Sequence, residues 1–211
     1  MIIVSLKPEA KGGLFRIELS DGSLFSFRNC YLPPEIFDAR LDSPGTAQGE
    51  EISSAEETAL RHASACLRAE KAALRLIARA EQCAAGLSRK LEKRGHEKLC
   101  VNAVISRLSE LNLLDDNRYA ELWLESRLRL ARSPRRLLIS LSARGIDRDD
   151  AGAAMKKVLD EEAESSMLAR FAKKRIRKSG GGEDVICSLK YLLKNEGFSQ
   201  AAIQKFLDGE F

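Results

Sequence analysis

One short pattern occurs three times in this sequence at nearly equal spacing, and it constrains the fold more than any other feature. In each occurrence a Leu lies four residues before a Gly, a second Leu lies eight residues before it, and an apolar residue follows ten residues after it. Repetition at this period is typical of tandem units that share a core with their neighbours. The glycines are Gly95, Gly145 and Gly197, in LEKRG, LSARG and LKNEG; the more distant leucines are Leu87, Leu137 and Leu189, and the later apolar residues are Ile105, Met155 and Leu207.

Each copy of the pattern predicts two helices that are joined at the Gly. A helix commonly ends at Gly because this residue adopts the left-handed conformation without steric strain. The next residue is apolar in two copies, Ile146 and Phe198, and an Asp or Ser then follows as an N-cap. In the second copy a further helix precedes the pair, over residues 117–131, and Ser133-Pro134 restarts the chain as N-cap and first helical residue. The unit is therefore predicted to be a three-helix bundle.

The residues before about position 50 follow a different pattern. GLFRIELSDGSLFSFRNCYL alternates apolar and polar residues on both sides of Asp21-Gly22, which predicts a β-hairpin because Gly tolerates the positive φ of a tight turn. An isolated hairpin is marginally stable in water, so we expect this one to pack on the helices. Residues 41–51, LDSPGTAQGEE, predict a loop or linker. SSAEE, from Ser53, then predicts a capped helix start.

We predict a mainly α protein of three tandem three-helix repeats with a small N-terminal β-hairpin region. The boundaries follow from the spacing of the three glycines and from the change of pattern near residue 50. They are residues 1–50 for the hairpin and linker, 51–109 for repeat 1, 110–159 for repeat 2 and 160–211 for repeat 3.

The cysteines and histidines form no pattern that is typical of a metal site or of catalysis. The five cysteines are odd in number, scattered, and without a C-x-x-C pair, which disfavours both a disulfide framework and a zinc site. We interpret them as small buried apolar residues. His62 and His96 are the two histidines of the chain, so His-based chemistry has little to use. We therefore expect no catalytic residue, no metal and no cofactor.

Two adjacent carboxylates, Asp115 and Asp116, could hold a metal ion, act as acid and base, or begin a helix. An Asp directly before a helix accepts hydrogen bonds from first-turn N–H groups and complements the helix dipole. No H-x-E, D-x-D or E-x-x-H pattern accompanies the pair. We interpret the pair as a helix N-cap. Tyr119 and Trp123 lie four residues apart on one face of that helix, and we interpret them as packing residues rather than a base-stacking platform.

The charge of the chain is unevenly distributed. Residues 1–60 hold five Lys and Arg against ten Asp and Glu, a net charge of −5, whereas the whole chain carries +4, so the later residues carry +9. A basic helical body suggests contact with nucleic acid or with an acidic protein surface. No run of about 18 uncharged apolar residues predicts a membrane span, and the N-terminus lacks the features of a signal peptide. We expect a monomeric, cytoplasmic protein.

Two stretches without any acidic residue concentrate the positive charge: RLRLARSPRR, residues 127–136, and RFAKKRIRK, residues 170–178. Guanidinium groups form bidentate bonds with phosphates and carboxylates. The alternative is a solvated helix face, but cations this dense repel one another unless an anionic partner is present. The candidate partner-binding residues are Arg127, Arg129, Arg132, Arg135, Arg136, Arg144, Lys173, Lys174, Arg175, Arg177 and Lys178.

Around LLDDNRYAELWLESRL and SPRRLLISLSARGI, the sequence resembles the RecX family of regulators of the RecA recombinase. The resemblance covers roughly residues 55–210, including the stretch AALRLIARAEQCAAGLSRKLEKRGH before the first Gly. Cys83 and Gly86 depart from it, since the family usually has a Ser and a Glu there. The matching residues are Leu114-Asp115-Asp116, Arg118-Tyr119-Ala120, Arg127, Ser133-Pro134-Arg135-Arg136, Leu141, Arg144-Gly145-Ile146 and Gly197-Phe198-Ser199.

The resemblance implies a non-catalytic protein that binds RecA, lies along the groove of its DNA filament, and inhibits its recombinase, ATPase and coprotease activities. It thereby implies a role in homologous recombination, DNA repair and the SOS response. The partners would be the RecA filament and, weakly and through phosphates, single- and double-stranded DNA. The residues alone leave two alternatives open. One is a stand-alone DNA-binding helical-repeat protein, and the other is a metal nuclease that uses Asp115 and Asp116.

Overall fold

A computed structural model of the chain describes residues 1–10, 13–33, 35–179 and 183–210. Within these residues a small antiparallel sheet is followed by helices, which confirms the predicted mainly α fold. The strands are β1 (Ile3–Ala10), β2 (Leu14–Leu19) and β3 (Leu24–Arg28). The α-helices are α1 (Asp38–Asp42), α2 (Ser54–Ile77), α3 (Ala84–Glu92), α4 (Lys98–Glu110), α5 (Asp116–Leu128), α6 (Pro134–Ser142), α7 (Arg148–Val158), α8 (Glu161–Ser179), α9 (Glu183–Asn195) and α10 (Gln200–Glu210).

The helices after α1 form three consecutive groups of three, α2–α4, α5–α7 and α8–α10, which confirms the three tandem three-helix repeats. The second and third helix of each group are joined by a Gly with positive φ, +85° at Gly95, +92° at Gly145 and +87° at Gly197. The residue boundaries of the repeats stay a prediction. The leucines four and eight residues before each Gly are all buried, namely Leu87, Leu91, Leu137, Leu141, Leu189 and Leu193.

Side chains that were predicted as N-caps begin the helices. Ser53 accepts a hydrogen bond from the N–H of Glu56, whose carboxylate accepts one from the N–H of Ser53, so α2 begins with a complete capping box. Asp115 accepts hydrogen bonds from two N–H groups in the first turn of α5. Each such cap stabilises a helix by about 1 kcal/mol. Three further caps are Ser133 for α6, Asp147 for α7 and Ser199 for α10.

The N-terminal sheet has the strand order β1-β2-β3. The predicted hairpin is β2 and β3, which pair antiparallel across a turn in which Gly22 has a φ of +82°. β1 pairs antiparallel with β2 and was not predicted. Ile3 and Val4, the first two residues of the strand, are consecutive apolar residues rather than alternating ones, and Pro8 weakens a strand prediction except at a sheet edge.

The segment that was predicted as a loop or linker, residues 41–51, covers the outer edge of β1. It begins at the end of α1 and contains a 3₁₀ turn at Pro44–Thr46. The N–H of Ile3 donates to the carbonyl of Glu50, and the N–H of Gly49 donates to the carbonyl of Ile3, each at 2.9 Å. These bonds occupy backbone groups of an edge strand that could otherwise pair with another chain.

The sheet packs on α2, as expected for a hairpin that is too small to be stable alone. Arg28, at the end of β3, donates through Nε to both carboxylate oxygens of Glu70 at 2.9 and 3.0 Å. The hydroxyl of Tyr31 donates to the same carboxylate at 2.9 Å. Glu70 is only 3% exposed, and a buried carboxylate needs such partners. Burial and the nearby Glu70 charge raise the pKa of Tyr31, so its hydroxyl stays protonated as a donor.

The chain separates into two compact units. The first unit contains Met1–Glu81 and Leu87–Leu114, and the second contains Gln82–Gly86 and Asp115–Phe211. The core of the second unit includes the tilted aromatic pair Phe171 and Phe198, whose ring centroids are 5.6 Å apart. No helix in the described part of the chain combines the length and apolar character needed to cross a membrane.

Candidate partner-binding surface

Residues from the two basic stretches line one cavity in the second unit. Arg136, in the first turn of α6, and Lys174 and Arg175, on α8, surround a hollow of about 170 Å³ that also contacts Ala131 and Phe171. Since a liquid water molecule occupies about 30 Å³, this volume equals five or six waters and accommodates a phosphate group. None of the described residues that line it is acidic, so the three cations favour an anion in this cavity.

The basic side chains, rather than the helix backbone, line the cavity that would hold that anion. In the first turn of α6, Pro134 has no N–H, the N–H of Arg135 donates to the carbonyl of Glu196, and the N–H of Arg136 donates to Ser133 Oγ. The backbone donors nearest the cavity are therefore already used. We define Arg136, Lys174 and Arg175 as the cationic cavity of this protein.

Phe171 forms the apolar wall of the cationic cavity. The guanidinium of Arg175 lies over its ring, 5.6 Å from the centroid, in a cation–π arrangement. Because Phe171 is buried against the core, this contact restrains the Arg175 side chain at the cavity wall. A restrained cation loses less side-chain entropy on binding a ligand than a freely moving one does.

Two of the predicted binding residues, Arg127 and Arg144, instead cover Trp123. Their guanidinium carbons lie 5.6 and 4.5 Å from the indole centroid, respectively. Arg144 also donates to the carbonyl of Ser140 at 2.7 Å. Trp123 is buried and Tyr119 packs partly buried against the same core, which supports their interpretation as packing residues. Neither arginine is among the described residues that line the cationic cavity.

Arg135 connects α6 to the turn after α9. Its N–H donates to the carbonyl of Glu196 at 3.0 Å, and its Nη1 donates to the carbonyl of Asn195 at 3.4 Å. Its side chain borders an open groove of about 790 Å³ along α6 and α7, which Arg148 and Lys156 also line. Arg135 therefore lies at a second positively charged surface rather than in the cationic cavity.

Four of the remaining predicted residues lie on the surface outside the cavity lining. Arg170, which lies in the second basic stretch but was not a predicted binding residue, has a structural role. It donates to the carbonyl of Leu128 and to Ser166 Oγ, each at 2.7 Å, and so caps the end of α5. The exposed predicted residues are Arg129, Arg132, Lys173 and Arg177, and the side chain of Lys178 lies outside the described residues.

The two adjacent aspartates cap two different helices. Asp115 accepts from the N–H groups of Asn117 and Arg118 at 2.9 and 3.0 Å, which confirms its interpretation as the N-cap of α5. Asp116 instead accepts from the N–H of Ala84 at 2.7 Å, at the start of α3. Burial raises the pKa of the Asp116 carboxyl group, and the nearby charges of Asp150 and Asp115 raise it further.

One group of side chains, in the first unit, was not predicted from the sequence. The ligand-capable atoms of His62, Cys66 and Cys100 all lie within 4.8 Å of one another. His62 and Cys66 are one turn apart on α2, a spacing that is visible in the sequence, whereas Cys100 joins them only through the packing of α4 on α2.

Comparison with known proteins identifies the family. The profile of the second three-helix domain of RecX matches residues 115–155. The regulatory protein RecX of Treponema pallidum (strain Nichols) is 35% identical over 143 residues, which cover 67% of this chain and 85% of that protein. The regulatory protein RecX of Halorhodospira halophila is 39% identical over 111 residues, which cover 53% of this chain and 66% of that protein.

Solved structures support the fold. A crystal structure of regulatory protein RecX matches with a TM-score of 0.71 over 98% of both chains, at 18% identity. The crystal structure of RecX from Lactobacillus salivarius matches with a TM-score of 0.57 over 68% of this chain and 95% of that one, at 21% identity. On the strength of its sequence relatives, the chain belongs to the RecX family of regulatory proteins.

Proposed function

We propose that this protein is a cytoplasmic regulator of the RecA recombinase. It binds RecA and its DNA filament and inhibits recombinase, ATPase and coprotease activity by occupying the filament, without catalysing a reaction. Membership of the RecX family supports this proposal. The observation that carries it is the cationic cavity, because Arg136 and the pair Lys174 and Arg175 come from separate helices and face one phosphate-sized space.

The surroundings of the cavity suit a nucleoprotein filament. DNA presents phosphates at regular intervals along its axis, so a partner that follows it gains from several cations rather than from one. Ala131 lines the cavity, and the exposed Arg132 is its direct neighbour in the chain. Arg129 lies two residues before Ala131 and is also exposed. These side chains extend the positive surface beyond the cavity itself.

The test is the effect of the protein on RecA bound to single-stranded DNA. We expect the unmodified protein to slow ATP hydrolysis and strand exchange by RecA. The triple variant Arg136→Gln/Lys174→Gln/Arg175→Gln should need at least about tenfold more protein for the same inhibition, since each lost charge-assisted contact contributes on the order of 1.5–3 kcal/mol.

A matched control separates the site from net charge. Lys93→Gln/Arg94→Gln/Lys98→Gln removes three exposed cations around Gly95, in the first unit, and changes the net charge by the same amount. This variant should inhibit RecA like the unmodified protein. If both triple variants inhibit RecA equally weakly, the net charge of the protein rather than the cavity accounts for inhibition. If the cavity variant inhibits RecA as well as the unmodified protein does, the cavity is not the binding site.

The second candidate function is stand-alone DNA binding through the same cavity, which its size and charge also favour. Pure phosphate binding weakens steeply with salt, with a slope of about −0.9 in log K against log salt for each neutralised phosphate. If the protein slows RecA ATPase at a salt concentration where its own DNA binding is negligible, contact with RecA accounts for the effect. Inhibition that disappears together with DNA binding at every salt concentration favours the second candidate.

A further inference from the structure

His62, Cys66 and Cys100 bring an imidazole and two thiols together in the first unit. All three possible ligand atoms lie within 4.8 Å of one another. Cys66 and Cys100 are buried and His62 is half-buried. Because His62 and Cys66 lie on α2 and Cys100 lies in the first turn of α4, the cluster spans two packed helices.

The separation between Cys66 Sγ and the His62 ring nitrogens matches that of a tetrahedral zinc site, and Cys100 Sγ lies within 4.8 Å of both side chains. With Zn–S bonds of about 2.3 Å and Zn–N bonds of about 2.05 Å, tetrahedral geometry places a sulfur and a nitrogen about 3.6 Å apart and two sulfurs about 3.8 Å apart. Cys66 Sγ lies 3.7 Å from Nε2 and 3.8 Å from Nδ1 of His62. The two ring nitrogens are almost equally distant, so a rotation of the imidazole selects which of them binds the ion.

The donor set also balances charge. Zn²⁺ with two thiolates, one neutral imidazole and a water molecule has no net charge, so it avoids the penalty of burying an isolated ion. Without a metal, burial and the adjacent Cys100 raise the pKa of the Cys66 thiol, and the neutral side chains pack as small apolar residues. The first turn of α4 favours negative charge, which suits a thiolate at Cys100.

An open pocket lies beside His62, one member of the cluster. It has a volume of about 450 Å³, and both His62 and Glu97 line it. Glu97 is the N-cap residue of α4, yet its side chain makes no capping hydrogen bond. The pocket therefore opens beside one of the possible ligands, and the Glu97 carboxylate lines the same pocket as His62.

We propose that His62, Cys66 and Cys100 form a zinc site in which the fourth ligand, Glu97 or a water molecule, comes from the pocket. The bound ion joins α2 to the start of α4. This site uses no residue of the cationic cavity. Zinc binding and RecA inhibition can therefore fail independently of each other.

Cobalt provides the direct test, because Co²⁺ takes the same geometry as Zn²⁺ and absorbs visible light. The full-length protein is reduced, freed of metal with a chelator, and titrated with Co²⁺. We expect one equivalent to bind, with the visible bands of tetrahedral Co²⁺ and a near-ultraviolet thiolate-to-metal band, and Zn²⁺ to displace it. Competition with a chromophoric chelator then gives the affinity for Zn²⁺.

Cysteine variants assign the ligands. Cys66→Ala and Cys100→Ala should each weaken Zn²⁺ binding at least about 100-fold, since even outer-shell changes around a metal cost 10- to 100-fold. Cys30→Ala, an exposed thiol in the same unit, and Cys83→Ala, a buried thiol in the second unit, should bind Zn²⁺ normally. Circular dichroism confirms that each variant is folded. Glu97→Gln gives a smaller loss if the carboxylate is the fourth ligand and none if water is.

Three results would overturn the zinc site, and the first needs no variant. The unmodified, reduced protein could fail to produce the thiolate-to-cobalt band. The band could persist at full strength in folded Cys100→Ala. Finally, peptide mass spectrometry could find a Cys66–Cys100 disulfide in the purified protein while the reduced form binds no Zn²⁺, in which case the two thiols form a redox pair rather than a metal site.

Discussion

The turns around Gly145 and Gly197 occupy equivalent positions in successive repeats, but they contact different kinds of residue. Gly145 lies against the start of α3, where a Cβ atom on Gly145 would overlap the Cβ atom of Ala85. Gly197 lies against the start of α6, where an added Cβ atom would be 3.5 Å from the nearest atom, the backbone nitrogen of Arg135. Both turns therefore contact the first turn of a middle helix, but only the contact at Gly145 excludes a methyl group.

Polar contacts beside the two turns repeat in the same way. Cys83 Sγ donates to the carbonyl of Arg144 at 3.6 Å, and the hydroxyl of Ser133 donates to the carboxylate of Glu196. Ser133 lies 50 residues after Cys83 and Glu196 lies 52 residues after Arg144, which are the spacings of the glycines themselves. Within the second unit, the first turns of α3 and α6 are thus contacted through equivalent positions, and the two contacts differ in the types of residue that form them.

The difference explains where the cationic cavity is found. The start of α3 reads Cys83-Ala84-Ala85-Gly86, and its small, uncharged residues allow close approach. The start of α6 reads Ser133-Pro134-Arg135-Arg136, and its looser contact leaves room for long side chains. Arg136 occupies the position that corresponds to Gly86. A basic cavity of the same kind is therefore not available at the start of α3.

The largest expected effect is that of Gly145→Ala. Alanine in the left-handed conformation costs about 1–2 kcal/mol, and overpacking against Ala85 adds about 1–3 kcal/mol. At Gly197 and Gly95 the strain remains without overlap, since Gly95 has no atom within 4 Å of an added Cβ. Urea unfolding should show a loss of about 2–5 kcal/mol at Gly145 and about 1–2 kcal/mol at the other two.

A double variant tests whether Ala85 is the cause. Adding Ala85→Gly to Gly145→Ala removes the overlapping methyl group, so the pair should show a coupling energy in a double-mutant cycle, whereas Ala85→Gly with Gly95→Ala should show none. Equal losses at all three glycines would mean that the close approach at Gly145 has no energetic consequence, and the contrast between the two turns would then be one of geometry alone.

An exchange of Cys83 and Ser133 should have an intermediate effect. Ser133 is fully buried, caps α6 and donates to Glu196, so Ser133→Cys should destabilise the protein by about 1–2 kcal/mol, as expected for loss of an N-cap. Cys83→Ser keeps a donor toward the carbonyl of Arg144 and should change stability by less than about 1 kcal/mol. Thermal unfolding measures both. Equal losses would show that a hydroxyl group stabilises the protein no more at position 133 than at position 83, although the two positions are equivalent in the repeat.

The three-repeat fold could be predicted because its signals are local. A leucine at helical spacing, a Gly that ends the helix and an N-cap that begins the next one are all decided within a few residues of each other. β1 lacks such a signal, because its first two residues are both apolar and its edge is completed by hydrogen bonds with Gly49 and Glu50, more than 40 residues away. Strand pairing at that distance is set by tertiary structure.

The candidate site was predictable only in outline. Both basic stretches could be recognised from the density of their cations. Solvated side chains follow no periodic pattern, so the sequence does not show which of these cations lie together in the fold. The fold places Arg136 of α6 at the same cavity as Lys174 and Arg175 of α8, whereas Arg127 and Arg144 lie over Trp123. Which residues of a charged stretch share a cavity depends on the packing of helices that are distant in the chain.

Substitution of Asp116 should give the smallest effect. Because Asp116 lies on α5 and caps α3, it tests the contrast between the starts of α3 and α6. Burial raises the pKa of its carboxyl group above the ordinary value of 3.8. The folded state therefore binds the proton more tightly than the unfolded state does. This contribution to stability is present below pH 3.8 and is lost as the pH rises through the raised pKa of the folded state. Relative to Asp116→Asn, the unmodified protein should lose stability over that interval.

Urea unfolding of both proteins across the acidic range measures this difference, and a carboxyl-carbon NMR titration gives the pKa of Asp116 directly. Asp115→Asn is the control at neutral pH, since Asn caps helices as well as Asp does, and its stability should change little. If the unmodified protein instead gains stability relative to Asp116→Asn as the pH rises, the hydrogen bond from Ala84 outweighs burial. The start of α3 would then depend on a carboxylate, and in this it would resemble the start of α6, where Ser133 donates to the carboxylate of Glu196.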